Sequence, residues 1–331
     1  MNPALASFGY KHEIRAALNK AQQFLIATHV RPDGDAIGSL LGFGLALKAQ
    51  GKQIQMVIQG GFPGKYRFLS GSDEIRDKCD LPYEFSIALD CADEARSGDI
   101  FASRLPDLNI DHHATNTRFG KINLVLPEYA ATAAILAELL PEWGLEISSQ
   151  VASALMMGIV TDTIGFRTPN VDAKLLRMAA ALIEKGAALA EVYKRTIIDQ
   201  SFPSAVLWGA ALNRMQRDGR LVWTSITLED RHGAHYNGWD DADLSNFLST
   251  IEECDVSVLF NEQKDDKVKV SWRSTGGLNI ADLAVRFNGG GHTPAAGAEL
   301  NGSLQAVQEI ILKATKTFIK EEIHSQGEGN A

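Results

Sequence analysis

Cysteine is scarce in this sequence, and the three cysteines are not spaced as pairs. They are Cys79, Cys91 and Cys254, in a chain of 331 residues. A disulfide framework needs several cysteines in an oxidising compartment, and a thiolate zinc site needs cysteines in close pairs. The sequence therefore argues against both kinds of site, and a reducing compartment is the natural location.

A secretory start and long apolar segments are also absent. The amino terminus reads MNPALASFGYKHEIRAAL, without a basic start followed by an apolar run. No stretch of the chain reaches the uncharged length that a membrane-spanning helix requires. We therefore expect a cytoplasmic protein that has no membrane partner.

Positive charge is in deficit, because 32 Lys and Arg residues stand against 41 Asp and Glu residues, a formal net charge of -9. An extended groove for duplex nucleic acid needs a dense field of Lys and Arg. The composition argues against that class of partner and leaves short RNA or a small nucleotide open. Carboxylates are also the ligands that divalent cations need, although most surface carboxylates are merely solvated.

The order of the predicted elements is that of an α/β protein with two domains. Hydrophobic residues make up 45% of the chain, and its length favours two domains over one. A strand at 24–30, a helix at 36–50 and a strand at 54–58 form a βαβ unit. This unit predicts an amino-terminal parallel sheet with flanking helices.

A smaller α/β domain is predicted after the first one. Its strands lie near 220–227, 256–261 and 267–273, and its helices near 204–216, 241–250 and 279–287. We place a metal-binding catalytic domain at 1–195, a substrate-binding domain at 196–323 and a disordered tail at 324–331.

Carboxylates follow three of the predicted strands of the first domain. The strand at 24–30 leads into HVRPDGD, which holds Asp33 and Asp35, and two short apolar runs end at Asp90 and Asp111. In open α/β sheets, ligands bind beyond the carboxyl ends of the strands. Residues far apart in sequence are therefore expected to converge there.

Each aspartate also has a simpler interpretation. Asp35 could cap the helix that follows it, and Asp90 could cap a helical stretch near 93–103. Asp33 could be a turn residue, and Asp162 could be a turn or cap residue. His29, four residues before Asp33, favours the metal site over these alternatives, because a histidine and two carboxylates together are a typical ligand set.

The run Asp111-His112-His113 is unusual after a buried strand, because two imidazoles and a carboxylate all need polar partners. One histidine could bind an ion while the other contacts a phosphate, or Asp111 could orient an imidazole. Carboxylate and imidazole donors without thiolates favour manganese, with magnesium or cobalt possible and zinc less favoured. Two ions sharing Asp90 could activate hydroxide for the hydrolysis of phosphate esters.

The second domain carries two candidate substrate-binding segments, VKVSWRSTGG and GGGHTPAAG. Arg273 ends a predicted strand and could bind a phosphate bidentately, although an arginine at such a position is most often a solvated strand residue. Gly289, Gly290 and Gly291 could let backbone amides approach a nucleotide, and His292 follows them. A flexible turn is the simpler interpretation of this glycine run.

Taken together, these segments resemble the DHH phosphoesterase family. Its four motifs occur in order, as His29 through Asp35, then Asp90, then the Asp111-His112-His113 run with Asn116 nearby, then Asp162. The SWRS and GGGHTPAAG segments resemble the glycine-rich substrate domain associated with that family. The resemblance spans about residues 20 to 300.

The resemblance implies a role for each of these residues. One ion would be held by His29, Asp33 and Asp90, and the other by Asp35, Asp90, His112 and Asp162, with Asp90 bridging. Asp111 would orient rather than bind an ion, and His113 would contact the scissile phosphate. The substrate would be bound by Arg273, Ser274, Gly289, Gly290, Gly291 and His292.

The two-domain length resembles the standalone family members that degrade very short RNA to mononucleotides and remove the 3′-phosphate of adenosine 3′,5′-bisphosphate (pAp). This implies a manganese-dependent hydrolase of the 3′–5′ exoribonuclease type that forms a homodimer. Hydrolysis of cyclic di-AMP or pApA is the nearest alternative, and a non-catalytic nucleotide-binding regulator is an alternative of another class. Ile164 departs from the family, which often has Gly there, and could alter the loop or pocket.

Overall fold

A computed structural model describes the backbone of residues 3–328 and the side chains of residues 12–322 except His292. The chain divides into two compact units after Asp199. Within the described residues, no helix combines the length and the apolar composition needed to cross a membrane.

The first unit contains a five-stranded, fully parallel sheet in the order β2-β1-β3-β4-β5. The predicted parallel α/β architecture is therefore confirmed. The three middle strands β1, β3 and β4 are mostly buried, as expected for a sheet covered on both faces. The strands are β1 (Gln23–Ala27), β2 (Gln53–Val57), β3 (Phe85–Leu89), β4 (Leu108–Asp111) and β5 (Ile122–Val125).

Helices of this unit pack against the sheet and against one another around a large apolar core, and a smaller apolar cluster holds the other side chains of β1. They are α1 (Pro3–Lys20), α2 (Gly34–Ala49), α3 (Thr132–Glu142), α4 (Ser149–Asp162), α5 (Ala173–Glu184) and α6 (Leu189–Tyr193). Glycines allow α2 and α4 to approach closely, since a Cβ at Gly38 would lie 2.5 Å from the Ala154 carbonyl oxygen. A Cβ at Gly34 would likewise lie 2.3 Å from Thr161 Oγ1, so the start of α2 lies beside the end of α4.

The predicted helix at 93–103 is wrong. Only a short 3-10 turn forms there, at Ala95–Ser97, and it ends at Gly98, whose φ of 67° is left-handed. The Arg96 amide donates its hydrogen bond to Asp93 Oδ1 and not to Asp90. Asp90 therefore does not cap a helix.

The second unit contains a six-stranded mixed sheet in the order β10-β11-β9-β8-β7-β6, in which only β7 and β8 pair in parallel. The three predicted strands are confirmed, while three others had no clear signal in the sequence. The strands are β6 (Gln216–Asp218), β7 (Leu221–Ile226), β8 (Val256–Gln263), β9 (Lys267–Ser274), β10 (Gly290–His292) and β11 (Ala295–Asn301).

Two apolar clusters cover the two faces of this sheet. Val258 and Phe260 of β8 belong to one cluster, with side chains of the last two helices, while Leu259 between them belongs to the other. The helices are α7 (Phe202–Asn213), α8 (Leu228–Gly233), α9 (Leu244–Leu248), α10 (Ile280–Val285) and α11 (Leu304–Glu328). Residues 324–328 of the expected tail continue α11, and residues 329–331 lie outside the described residues.

Candidate metal centre

Acidic and imidazole side chains meet beyond the carboxyl ends of β1, β3 and β4. These strands are neighbours and run parallel, so the residues after them emerge at one edge of the sheet. Three groups have ligand atoms within 4.8 Å of one another: His29, Asp33 and Asp90; Asp35, His112 and Asp162; and Asp90, His112 and His113. The structure thus brings together every residue that the sequence predicts as a metal ligand.

His29 follows β1 and is buried. Its Nδ1 lies 2.9 Å from the Val30 carbonyl oxygen, so Nδ1 carries the proton when the ring is neutral. Its Nε2 is buried, has no hydrogen-bond partner among the described residues, and lies 3.8 Å from Asp90 Oδ2. A buried nitrogen without a partner is costly, and a cation would satisfy its lone pair.

Asp33 and Asp35 occupy different environments at the start of α2. Asp33 caps this helix, because its Oδ1 accepts the Ala36 amide at 3.0 Å, and so the capping role considered for Asp35 is wrong. Burial opposes ionisation of Asp33, but the nearby His29 and the Ala36 amide lower the pKa of its carboxyl below the usual value. Asp35 is buried and accepts the amides of Thr132 and Ala133 at 2.6 and 2.9 Å.

Asp90 lies at the centre of the cluster. Its Oδ2 faces His29, while its Oδ1 lies 3.7 Å from both His112 Nε2 and His113 Nδ1 and accepts the Thr132 hydroxyl at 2.9 Å. Its backbone has a φ of 53°, in the left-handed region that few residues other than glycine adopt. Such conformations are enriched where function requires a fixed side chain.

Asp111 is fully buried, and both of its oxygens accept hydrogen bonds. Oδ1 accepts His113 Nδ1–H at 2.7 Å and two backbone amides, and Oδ2 accepts the Asn116 side chain at 2.6 Å. Although burial opposes ionisation, these donors lower the pKa of Asp111. Burial likewise opposes the charged form of His113, yet Asp111 and Asp90 raise the pKa of His113 to about 9.

His112 is oriented by the Tyr129 carbonyl oxygen, which lies 3.3 Å from its Nδ1. Its Nε2 lies 3.4 Å from Asp162 Oδ2 and 3.9 Å from Asp35 Oδ2. Burial and neighbouring carboxylates raise the pKa values of Asp35 and Asp162 well above the usual range. Divalent cations would reverse this effect, so crowded carboxylates with imidazole nitrogens fit such ions well.

Thr132 is the main participant that the sequence interpretation missed. It begins α3, is fully buried, and hydrogen-bonds to both Asp35 and Asp90. The available signal was a single hydroxyl residue within the apolar segment YAATAAIL.

In the second unit, Arg273 is held by neighbouring polar groups rather than solvated. Its guanidinium donates to Ser245 Oγ at 3.0 Å, to Asn246 Oδ1 at 3.2 Å and to the Trp272 carbonyl oxygen at 3.0 Å. Burial lowers the pKa of Arg273. The Ser274 hydroxyl accepts the Leu278 amide at 3.1 Å.

The glycine run forms an edge strand, so its interpretation as a flexible turn is wrong. Gly290–His292 are β10 and pair antiparallel with β11. A Cβ at Gly289 would lie 2.2 Å from the Gly297 carbonyl oxygen, and Gly291 has a φ of 146°. The register places Arg273, Ala295 and His292 in one row across three strands.

Comparisons with known proteins agree with this architecture. Residues 23–159 match the DHH family, N-terminal domain, and residues 209–321 match the DHHA1 domain. The bifunctional oligoribonuclease and PAP phosphatase NrnA of Thermus thermophilus is 39% identical over 297 residues, which cover 88% of each chain. The chain therefore belongs to the DHH phosphoesterase family.

Two further relatives extend the comparison. The crystal structure of an exopolyphosphatase-related protein from Bacteroides fragilis superimposes with a TM-score of 0.85 at 26% identity, covering 95% of this chain and 96% of that one. The cyclic-di-AMP phosphodiesterase GdpP of Geobacillus thermodenitrificans is 24% identical, covering 96% of this chain and 50% of that protein.

Proposed function

We propose that the protein is a divalent-metal-dependent phosphoesterase that hydrolyses short oligoribonucleotides to mononucleotides and removes the 3′-phosphate of pAp. The observation that carries this proposal is the convergence of four carboxylates and three imidazoles beyond the parallel sheet. The Thermus relative, which bears both activities in its name, is 39% identical to this chain over an alignment of 297 residues that extends across both units.

The geometry suggests how the ligands would be divided between two cations. His29, Asp33 and Asp90 would hold one, and Asp35, His112 and Asp162 would hold the other, with Asp90 between the two groups. Oxygen and imidazole donors favour Mn²⁺, with Mg²⁺ or Co²⁺ as alternatives. Two such cations, when bound, activate water and neutralise charge on a phosphate.

His113 is suited to a different task. Asp111 accepts its Nδ1–H at 2.7 Å, and this contact favours the protonated ring because it raises the pKa of His113. The Nε2–H would then donate to the scissile phosphate, where a charged donor stabilises the developing negative charge.

Residues of the second unit are assigned to substrate binding. Arg273 is preorganised by Ser245 and Asn246, and it shares a row of the sheet with His292. We assign substrate contacts to Arg273, Ser274 and the backbone of Gly289, Gly290, Gly291 and His292. Exoribonuclease polarity from the 3′ end, a homodimer and a cytoplasmic location stay predictions from the family resemblance.

A substrate panel tests this proposal. The purified protein would be given Mn²⁺ and equal concentrations of pAp, pApA, cyclic di-AMP and 5′-labelled RNA of graded length, with an EDTA control. We expect hydrolysis of pAp and of the shortest RNAs, abolished by EDTA. Faster hydrolysis of cyclic di-AMP or pApA would favour the activity named for the GdpP relative. No hydrolysis with Mn²⁺, Mg²⁺ or Co²⁺ would favour a regulatory nucleotide-binding protein.

A further inference from the structure

We propose that Thr132, the first residue of α3, is a positioning residue that fixes Asp35 and Asp90 relative to each other for cation binding. This inference rests on the metal site of the proposed function and adds a residue that is not itself a ligand. Thr132 is fully buried, and it reaches the two carboxylates through two different groups. Its hydroxyl donates to Asp90 Oδ1 at 2.9 Å, and its amide donates to Asp35 Oδ2 at 2.6 Å.

The first turn of α3 depends on this arrangement. Its cap residue is Ala131, which has no side-chain acceptor for the free amides of the turn. The carboxylate of Asp35, from α2, takes that role by accepting the amides of Thr132 and Ala133. The start of a helix carries partial positive charge, which attracts the carboxylate oxygens of Asp35.

A second contact limits where the Asp35 carboxylate can lie. Gly158 of α4 faces it, and a Cβ at this position would lie 2.7 Å from Asp35 Oδ1. The Ser39 hydroxyl donates to the same oxygen at 3.2 Å. Asp35 is therefore held by several contacts. Thr132 Oγ1 provides the hydrogen bond between Asp90 and the start of α3.

Substitution of Thr132 can remove the hydroxyl contact with Asp90 while it keeps the amide contact with Asp35. T132V keeps the shape, the backbone amide and its bond to Asp35, but it leaves Asp90 Oδ1 without the hydroxyl donor. T132S retains a hydroxyl. T315V is a matched control in the second unit, because Thr315 is also fully buried and its hydroxyl bonds to Ile311 and Trp272, away from the metal ligands.

The first readout is metal affinity, measured by calorimetric titration of EDTA-stripped protein with MnCl₂. Loss of a residue that orients metal ligands typically weakens metal binding by about tenfold to hundredfold, and we expect T132V to do so. T132S and T315V should bind Mn²⁺ as the wild type does. A purely structural role predicts equal losses of thermal stability in T132V and T315V with unchanged affinity, and that result would overturn the inference.

The second readout is the Mn²⁺ dependence of pAp hydrolysis. We expect T132V to need more Mn²⁺ for half-maximal activity while its KM for pAp stays unchanged. If T132V does not fold, T132A provides the same comparison against T132S. Equal Mn²⁺ affinity in the alanine and serine variants would also overturn the inference. Wild-type protein that binds no Mn²⁺ would instead overturn the proposed function on which the inference rests.

Discussion

The two units of the molecule place polar residues in different ways. In the first, the candidate ligands come from strand ends and helix ends, are mostly buried and crowd within a few ångströms. In the second, Arg273 lies within a mixed sheet, already bonded to Ser245 and Asn246, on the strand second from the glycine edge strand. The first arrangement favours chemistry on a small charged group, and the second favours recognition of a ligand by a preorganised surface.

The largest effect is expected at the residue between the two ligand groups. D90N keeps the shape of the side chain but removes charge from the place where both groups meet. Loss of several kcal/mol of charge stabilisation would lower kcat/KM by about 10³-fold or more. Steady-state hydrolysis of pAp with Mn²⁺ measures this effect. D80N, at an exposed aspartate, is the control, and near-normal activity of D90N would contradict the bridging assignment.

The second largest loss of activity is expected from substitution of His113. H113Q removes a charged donor but no predicted metal ligand, so we expect kcat to fall by about 10²-fold while Mn²⁺ affinity changes little. D111N should act in the same direction, because it weakens the bond that holds His113 Nδ1. H232Q, at an exposed histidine, is the control. A wild-type kcat in H113Q would contradict a role for His113 in the reaction.

Arg273 tests whether the second unit serves binding rather than chemistry. A charged hydrogen bond contributes about 1.5–3 kcal/mol, so R273A should raise KM roughly tenfold to hundredfold and affect kcat less. R273K should recover part of the loss. R220A is the control, since Arg220 is exposed and pairs with Asp255. A fall in kcat with unchanged KM would assign Arg273 to the chemical step instead.

The smallest effect concerns stability. Ile164 has a φ of 48°, and Gly165 and Phe166 after it are also left-handed. A β-branched residue is strained in this region, whereas glycine is not, so I164G should raise the free energy of unfolding by about 1 kcal/mol. Urea denaturation measures the change. L81G, at an exposed leucine without a positive φ, should show no gain, and a destabilised I164G would show that packing of Ile164 outweighs the strain.

The difference between the two units also explains what could be predicted from the sequence. Asp90 and Asp111 each follow a short apolar run, and parallel topology alone then places them at one edge. The row that joins Arg273 to His292 depends on β10 and β11. Both strands are rich in Gly and Ala and have no alternating pattern of apolar and polar residues, so periodicity could not reveal them.

Other features depended on tertiary contacts. The helix expected at 93–103 is stopped by Gly98, whose left-handed conformation overrides local propensity. The role of Thr132 required knowing that α3 begins beside Asp35 and Asp90, which lie 97 and 42 residues away in sequence. That Asp35 caps α3, a helix distant in sequence, cannot be read from its neighbouring residues.

Metal stoichiometry tests the central claim most directly. Metal-free protein would be titrated with Mn²⁺, and bound and free ions would be distinguished by electron paramagnetic resonance. The account predicts two Mn²⁺ ions per chain with coupled signals in the wild type, and loss of the coupling in D90N. A wild type that binds no Mn²⁺, or a D90N variant that binds two coupled ions and hydrolyses pAp normally, would contradict it.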